Sequence, residues 1–439
     1  MKIFDKITDK LMHQLQKRAF MKSVLLVAGG TAFAQLIAIL ITPVLSRLFT
    51  PGDFGVLALY TSALSILSPF ATLKYDLAIP LEKDEKGAIN VFFLSIVCII
   101  IFSSIVLVIV LLFAGAFSRM LNAEEFEPFM WLLPIGTATI GLYTTSLHLA
   151  LYYKSYRSIT KTKIAQGIAR STTQVGFGGV GFGGPLGLIL GEIAGQAWGF
   201  RTLTKPFFGS VTFSLKNVTI RDLSNAAKKY RKFPLISSPS TLLQGIGLQV
   251  STFLLSALYG TEVTGSFGFA QRIIAAPLML IGTAIGQVYF AEGARLRRED
   301  PDRFYRLTLK TSKRLFTIGG IIAGILIPFG PFLFEIVFGE PWRVAGEFSR
   351  ILALMLMIRF VVFPISSALV IIERQGLQFL LDLLRSILVI LAIYFSKILG
   401  FDAYGAIMNY TVAMIVVYVT TYIVIMKKLR QLSSLRQIQ

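Results

Sequence analysis

Apolar residues in this chain come in long uninterrupted runs, without the regular polar interruptions that a half-exposed helix or strand shows. A helix needs about 20 apolar residues to cross the hydrocarbon of a bilayer. Twelve such runs are predicted, at 23–46, 54–73, 88–113, 128–152, 164–184, 185–200, 234–258, 266–290, 315–338, 346–372, 377–399 and 405–426. The turn between the fifth and sixth is blurred by the glycine-rich stretch Gly176 to Gly184 and by Pro185; reading it as a boundary makes the total even. The first run is too long for the core of a secretory leader and another span follows it directly, so a retained helix is expected. The expected fold class is all-α: a polytopic membrane protein of about 12 transmembrane helices.

Composition sharpens this reading. Of 439 residues, 54% are hydrophobic and only 15% charged, whereas soluble domains carry about a quarter of their residues as charges. The single cysteine, Cys98, excludes a disulfide framework or a cysteine-based zinc site within one chain. His13 and His148 are too far apart for a histidine-centred metal site, so no metal or cofactor is expected. A net charge of +20 would suit nucleic acid only on the basic face of a soluble domain, and that partner is excluded.

The charge reports orientation instead. Cytoplasmic loops are enriched in Lys and Arg. Segments 1–23, 74–87, 153–163, 201–233, 291–314, 373–376 and 427–439 hold 34 of the 43 Lys and Arg residues, against three (Arg47, Arg119 and Arg343) in the opposite loops. Both termini are therefore expected in the cytoplasm. The outer loops are short, which leaves no room for an external catalytic domain and argues against a membrane-embedded polysaccharide polymerase or ligase. A purely structural protein would have no use for arginines at hydrocarbon depth.

Two copies of a six-helix unit are predicted, lobes at 23–200 and 234–426, joined by the basic linker 201–233 and followed by a basic tail, 427–439. Leu45-Ser46-x-Leu48-Phe49 is matched 210 residues later by Leu255-Ser256-x-Leu258-Tyr259, and Gly55 by Gly265. Each copy follows a basic amphipathic segment of the kind that lies in the membrane interface: 1–22, with Phe4, Ile7, Leu11 and Leu15 on one stripe, and the stretch from Leu215 to Lys232. An even number of spans gives both copies one orientation, a parallel repeat whose sites form between the halves. Gly187, Gly191, Gly195 and Gly199 form a ladder that lets another helix approach. Polar stripes (Thr31, Gln35 and Thr42; Gln244 and Ser251; Gln166, Arg170, Thr173 and Gln174) are expected to point away from lipid, which offers them no partner.

Six cations fall inside predicted spans: Arg170, Arg272, Arg350, Arg359, Arg385 and Lys397. An arginine near the middle of a span costs ~2.5–3.5 kcal/mol on the insertion scale and persists where it faces water or a counter-charge. Arg359 has no acid three or four positions away on its helix, which leaves cavity lining or an acid on a neighbour. Arg385 has Asp382 at salt-bridge spacing, and Arg170 can pair with Glu192; for both, ion pairing and cavity lining stay open. Arg350 and Lys397 are near enough to the outer ends to snorkel. Arg272 stands in a groove of small residues, Gly265, Gly268, Ala275, Ala276, Gly282 and Gly286, and a guanidinium fork suits a diphosphate.

Phe269-Ala270-Gln271-Arg272-Ile273-Ile274-Ala275-Ala276-Pro277 with the small-rich run Leu280 to Gly286 resembles the eighth span of the multidrug/oligosaccharidyl-lipid/polysaccharide exporter superfamily. Leu45 to Gly55, with the Pro51-Gly52-Asp53-Phe54-Gly55 turn, and Lys74-Tyr75-Asp76-Leu77-Ala78-Ile79-Pro80-Leu81 look like the Wzx-type polysaccharide flippases. The likeness covers the whole chain in span count and halves, but its motifs only about 50 residues. It implies a V-shaped pair of lobes that moves an undecaprenyl-diphosphate-linked oligosaccharide from the cytoplasmic to the outer leaflet by alternating access, with polysaccharide assembly proteins as further partners. It implies that Arg272 faces the central cavity; the expectation built on this is that Arg272 and Arg359, with Arg170 and Arg385, neutralise the diphosphate while polar stripes, Gln35 and Gln244 among them, take the sugars. Lys74 and Arg47 are candidates for loading and release, or are solvated loop charges. Asp76, Glu192 and Asp382 are the candidates for coupling to Na+, H+ or the membrane potential. The extra first-lobe arginines of lipid II flippases have no match here, which points to an O-antigen, capsule or exopolysaccharide unit. The first span also lacks the buried acid of many drug/cation antiporters, which weighs against a cation-coupled drug exporter.

Overall fold

The computed structural model describes residues 26–181, 184–205 and 218–436, with side chains to Ser434. The interfacial segment predicted at 1–22, most of the linker including Leu215, the turn residues Phe182 and Gly183, and 437–439 lie outside the described residues. Among the described residues the regular structure is entirely helical. Helix α1 is Leu26–Leu48. It is followed by α2 (Pro51–Ala71), α3 (Glu85–Met120), α4 (Leu132–Tyr152), α5 (Tyr156–Gly179), α6 (Leu186–Thr204), α7 (Ile220–Lys229) and α8 (Ser238–Tyr259). The rest are α9 (Thr261–Glu299), α10 (Pro301–Phe338), α11 (Arg343–Ile365), the short α12 (Ser367–Ile371), α13 (Gln375–Ile398) and α14 (Ala403–Arg436).

Nine helical stretches among the described residues are long and apolar enough to cross a membrane: α1, α2, α3, α8, α9, α10, α11 with α12, α13 and α14. The spans predicted at 128–152, 164–184 and 185–200 fall on α4, α5 and α6, which have the length but a more polar composition. Local chemistry sets the breaks. The Thr50 hydroxyl accepts from the Asp53 amide while the Asp53 carboxylate accepts from Thr50, a capping box with Pro51 in the first turn, which starts α2. Gly260, at φ +88, is the whole connection between α8 and α9, a left-handed position that favours glycine.

The structure departs from expectation between 291 and 314. That basic segment is predicted as a loop, yet α9 and α10 run for 39 and 38 residues with only Asp300 between them. At 1.5 Å per residue each is ~57–58 Å long, so both continue as an amphipathic hairpin well beyond the ~30 Å hydrocarbon. Hydropathy marks where a helix leaves lipid and is silent on where it ends.

Residues 26–205 and 218–436 meet most intimately at the predicted outer end, where α2 packs chiefly against α9. Gly55 and Gly265 oppose each other there. A Cβ on Gly265 would lie 1.8 Å from the Pro51 carbonyl oxygen, and one on Gly55 2.0 Å from that of Thr261. Phe54, Phe269 and Trp342 are buried beside this crossing, the rings of Phe269 and Trp342 stacked at 3.8 Å and Phe54 edge-on to both. Around them the Trp342 indole donates to the Ser46 carbonyl (2.9 Å), Ser256 to that of Leu121 (2.9 Å), and Thr261 to Glu125 (3.1 Å). The 210-residue sequence match at Gly55 and Gly265 thus corresponds to a physical contact.

Gly265→Leu is expected to wedge α2 from α9 and lower the melting temperature of the purified protein by several degrees, in line with the ~1–3 kcal/mol cost of overpacking. Gly268→Ala, whose Cβ would sit 3.6 Å from Ala58 in ordinary contact, should leave it unchanged. Equal melting of both variants would show that the crossing is not tightly packed.

Candidate functional site

Polar residues on five helices of the C-terminal half converge on a cavity of about 500 Å3. Four of them contribute a stripe at three- and four-residue spacing, the pattern that puts side chains on one helix face: Gln244, Leu248, Ser251 and Thr252 on α8; Arg359, Val362 and Phe363 on α11, with Ser366 just past its end; Gln378, Asp382, Arg385 and Val389 on α13; and Tyr410, Met414, Val417 and Tyr418 on α14. Gln271 enters from α9 and donates to the Tyr410 hydroxyl at 3.4 Å. Four sequence-predicted residues, Gln244, Arg359, Arg385 and Asp382, therefore share one cavity.

Their roles differ. The Arg385 guanidinium pairs with Asp382 at 3.1 Å. Arg359 has no ion pair or hydrogen bond among the described residues, so its charge is left to whatever fills the cavity. Two guanidiniums against one carboxylate make the lining net positive, and the glutamines and tyrosines supply donors and acceptors suited to hydroxyls. Gln249, Gln271, Gln378, Tyr410 and Tyr418 are among the lining residues that sequence reasoning missed. Gln378 could have been found from its spacing to Asp382, one turn along the same helix.

The second group lies in the N-terminal half. Arg170 Nη2 stands 2.9 Å from Glu192 Oε2, held where α5 crosses the glycine ladder of α6. A Cβ on Gly191 would come within 2.3 Å of the Gln174 side chain and 3.0 Å of the Arg170 carbonyl. Gln166 donates to Gln196 (3.2 Å) and Gln174 to the Leu188 carbonyl (3.2 Å), so the α5 stripe packs against α6. Glu192 also borders a hollow of about 170 Å3 with Thr61, Ser65 and Thr139. Arg272, on α9, does not line the C-terminal cavity. It is half-buried, has no ion pair or hydrogen bond among the described residues, and lies within Coulombic reach of Glu192 and Arg170.

The remaining candidates are dispersed. Gln35 is half-buried on α1 and lines neither hollow. Arg47 belongs to the outer-end contact, donating to the Ile336 carbonyl at 3.4 Å. Lys74 sits in a left-handed turn (φ +62) at the predicted inner end, next to the buried Asp76. Asp76 accepts from the Thr72 hydroxyl (2.6 Å) and faces His148 Nδ1 (3.0 Å). That nitrogen is also 3.0 Å from the Thr144 carbonyl; with two acceptors it must carry the proton. Burial opposes ionisation of Asp76, but the hydrogen bonds from His148 and Thr72 and the Lys74 charge outweigh it and hold the carboxyl below the usual range. The stabilisation this gives is complete above the ordinary carboxylate pKa and is lost as pH falls through the lowered folded value, so Asp76 stays ionised at neutral pH.

Solved structures share this fold. The fold is similar over 92% of this chain and 96% of the other to an inward-facing multidrug resistance MATE family transporter of the MOP superfamily, with a TM-score of 0.72 at 13% identity. It is similar over 93% and 90% to lipid II flippase MurJ in an inward closed conformation, with a TM-score of 0.70 at 14% identity. A family model described as polysaccharide biosynthesis protein matches residues 44–347. The chain belongs to that family. It is 24% identical over 243 residues to lipopolysaccharide biosynthesis protein WzxC of Escherichia coli (strain K12), covering 54% of this chain and 47% of that protein. Teichuronic acid biosynthesis protein TuaB of Bacillus subtilis (strain 168) is 24% identical over 158 residues, covering 35% and 32%. The matched stretches thus span half or less of these curated relatives.

Glu192→Gln should destabilise the protein by roughly 2–3 kcal/mol, because it strands the Arg170 charge; breaking a buried pair costs ~3–5 kcal/mol, discounted here for the 30% exposure of Arg170. Arg170→Gln combined with Glu192→Gln should recover most of that loss, and Arg359→Gln, which orphans no partner, should melt close to wild type. A double variant less stable than Glu192→Gln alone would contradict this reading of the pair.

Proposed function

We propose that the protein carries an undecaprenyl-diphosphate-linked oligosaccharide from the cytoplasmic to the outer leaflet, for O-antigen, capsule or exopolysaccharide synthesis. In this reading the chain crosses the membrane twelve times, α4, α5 and α6 included, as lobes at 23–200 and 234–426. Residues 1–22, 201–233 and 427–439 lie on the cytoplasmic side, and the bilayer is that of the bacterial inner membrane. The observation that carries the reading is the C-terminal cavity, where Arg359 stands without a counter-ion beside Arg385 and a ring of glutamines and tyrosines. Phosphate oxygens satisfy guanidinium forks, and sugar hydroxyls satisfy the amides.

The tight outer-end crossing supports a form closed to the outside that receives its cargo from the cytoplasm. Opening would part Gly55 from Gly265 and unstack Phe269 from Trp342, with the lobes rocking as in other repeat-built transporters. Arg272, facing Arg170 and Glu192 across the lobes, would join Arg359 on the diphosphate as they move. Glu192 and Asp382, each already paired with an arginine, are the acids best placed to couple transport to H+ or Na+, since cargo that competes for the arginine would free the carboxylate. WzxC and TuaB are named for lipopolysaccharide and teichuronic acid biosynthesis, and surface polysaccharide is the cargo class that fits a net-positive cavity. A cationic drug would be repelled by it.

In cells lacking their own flippase, wild-type protein should restore surface polysaccharide, and Arg359→Ala or Arg272→Ala should reduce it at least about tenfold with drug tolerance unchanged; one lost charge-assisted hydrogen bond is worth ~1.5–3 kcal/mol. Full restoration by both variants, or a loss of drug tolerance in its place, would sink the proposal.

A further inference from the structure

A second hollow, about 580 Å3, opens on the outward side of the C-terminal half between α10, α11 and α14. Leu309, Phe316, Ile358, Val361 and Val419 make its wall apolar, and Lys313 is the one charged residue lining it. Phe316 is 56% exposed, so the groove faces the surroundings. Val362 borders both this groove and the polar cavity, and Arg359 projects into the cavity from the same helix turn. With Phe338 at the outer boundary, about 20 residues of α10 span the hydrocarbon. The groove, at 309–317, then lies at the inner headgroup level.

The sign of the rim restricts the occupant. Lys310, Lys313 and Arg314 are exposed on α10, with Lys427 exposed and Lys428 half-buried on α14. No acid occurs on α10 between Asp302 and Glu335, and none on α14. Lys313 has no ion pair among the described residues. The chain's own segment 1–25, with six basic residues against two acidic, would be repelled. An apolar chain with an anionic head fits. Proximity to the cavity, from which the groove is separated by the buried Val362 side chain, selects the lipid whose head that cavity receives.

We propose that this groove docks the isoprenoid chain of a polyprenyl diphosphate in the inner leaflet, its diphosphate against Lys313, before the head passes the α11–α14 seam to Arg359. The inference rests on the flippase reading and names where the carrier lipid waits.

The test uses the full chain in nanodiscs of phosphatidylethanolamine with a diazirine-bearing polyprenyl diphosphate that lacks sugar. The label should fall on α10, α11 and α14 around Phe316 and Val361, and excess phosphatidylglycerol should not compete it away. Ile358→Trp with Val361→Trp, which fills the groove, should lower labelling there at least about tenfold. Lys313→Glu, a surface change that leaves packing intact, should lower it several-fold. Competition by phosphatidylglycerol equal to that by unlabelled carrier would make the groove an ordinary lipid contact and overturn the inference, as would labelling elsewhere or labelling indifferent to both variants. Native mass spectrometry of the same samples separates the two readings. Carrier bound to the protein without groove labelling removes only the groove, whereas no bound carrier at all removes the flippase reading as well.

Discussion

A guanidinium at hydrocarbon depth must be paired, hydrated or liganded, because burying it bare costs several kcal/mol. That constraint divides the intramembrane cations of this chain. Arg170 and Arg385 are paired with Glu192 and Asp382. Arg350 reaches the Pro328 carbonyl at 3.3 Å and Lys397 lies 5.0 Å from the centre of the Tyr259 ring. Arg359 and Arg272 alone of the six have none of these partners among the described residues. Both belong to the C-terminal half: Arg359 lines its polar cavity, and Arg272 lies within Coulombic reach of Arg170 and Glu192 in the other half.

In the proposed function the two paired arginines would be more than scaffolding. An Arg and Asp pair on a cavity wall is a stored counter-charge: an anion that takes the arginine releases the carboxylate, which can then accept a cation. At Asp382 and Arg385 this exchange would occur inside the cavity. At Glu192 and Arg170 it would occur across from Arg272, so in the proposed cycle substrate, coupling ion and lobe contact would act on one set of charges. Asp76 belongs to a different category. Its fixed bonds to Thr72 and His148 suit a structural anchor at the C-terminal end of α2.

Much of this was legible in the sequence. The hydropathy runs located every long helix, and the spacing of Asp382 to Arg385 and the glycine ladder of α6 each foretold a contact. Three features were not readable, for physical reasons. The helical hairpin of α9 and α10 escapes hydropathy because a charged helix in water looks like a loop by composition. Gln271, next to Arg272, turns into the C-terminal cavity while Arg272 faces the other half; neighbouring residues on a helix differ by about 100°, and the sequence cannot say which neighbour helix lies in which direction. Gln166 and Gln174, expected to point away from lipid, are consumed by packing against α6, since the glycines opposite them leave room for amides and not for a ligand.

The central claim is that the unpaired charge of Arg359 recognises a diphosphate. The most direct measurement is an equilibrium titration of purified wild type and Arg359→Gln with a polyprenyl-diphosphate oligosaccharide, and with the same oligosaccharide on an uncharged polyprenol. The account predicts that Arg359→Gln weakens the diphosphate ligand at least about tenfold, ~1.4 kcal/mol, and leaves the uncharged ligand unaffected. Equal affinity of both proteins for the diphosphate ligand would contradict it.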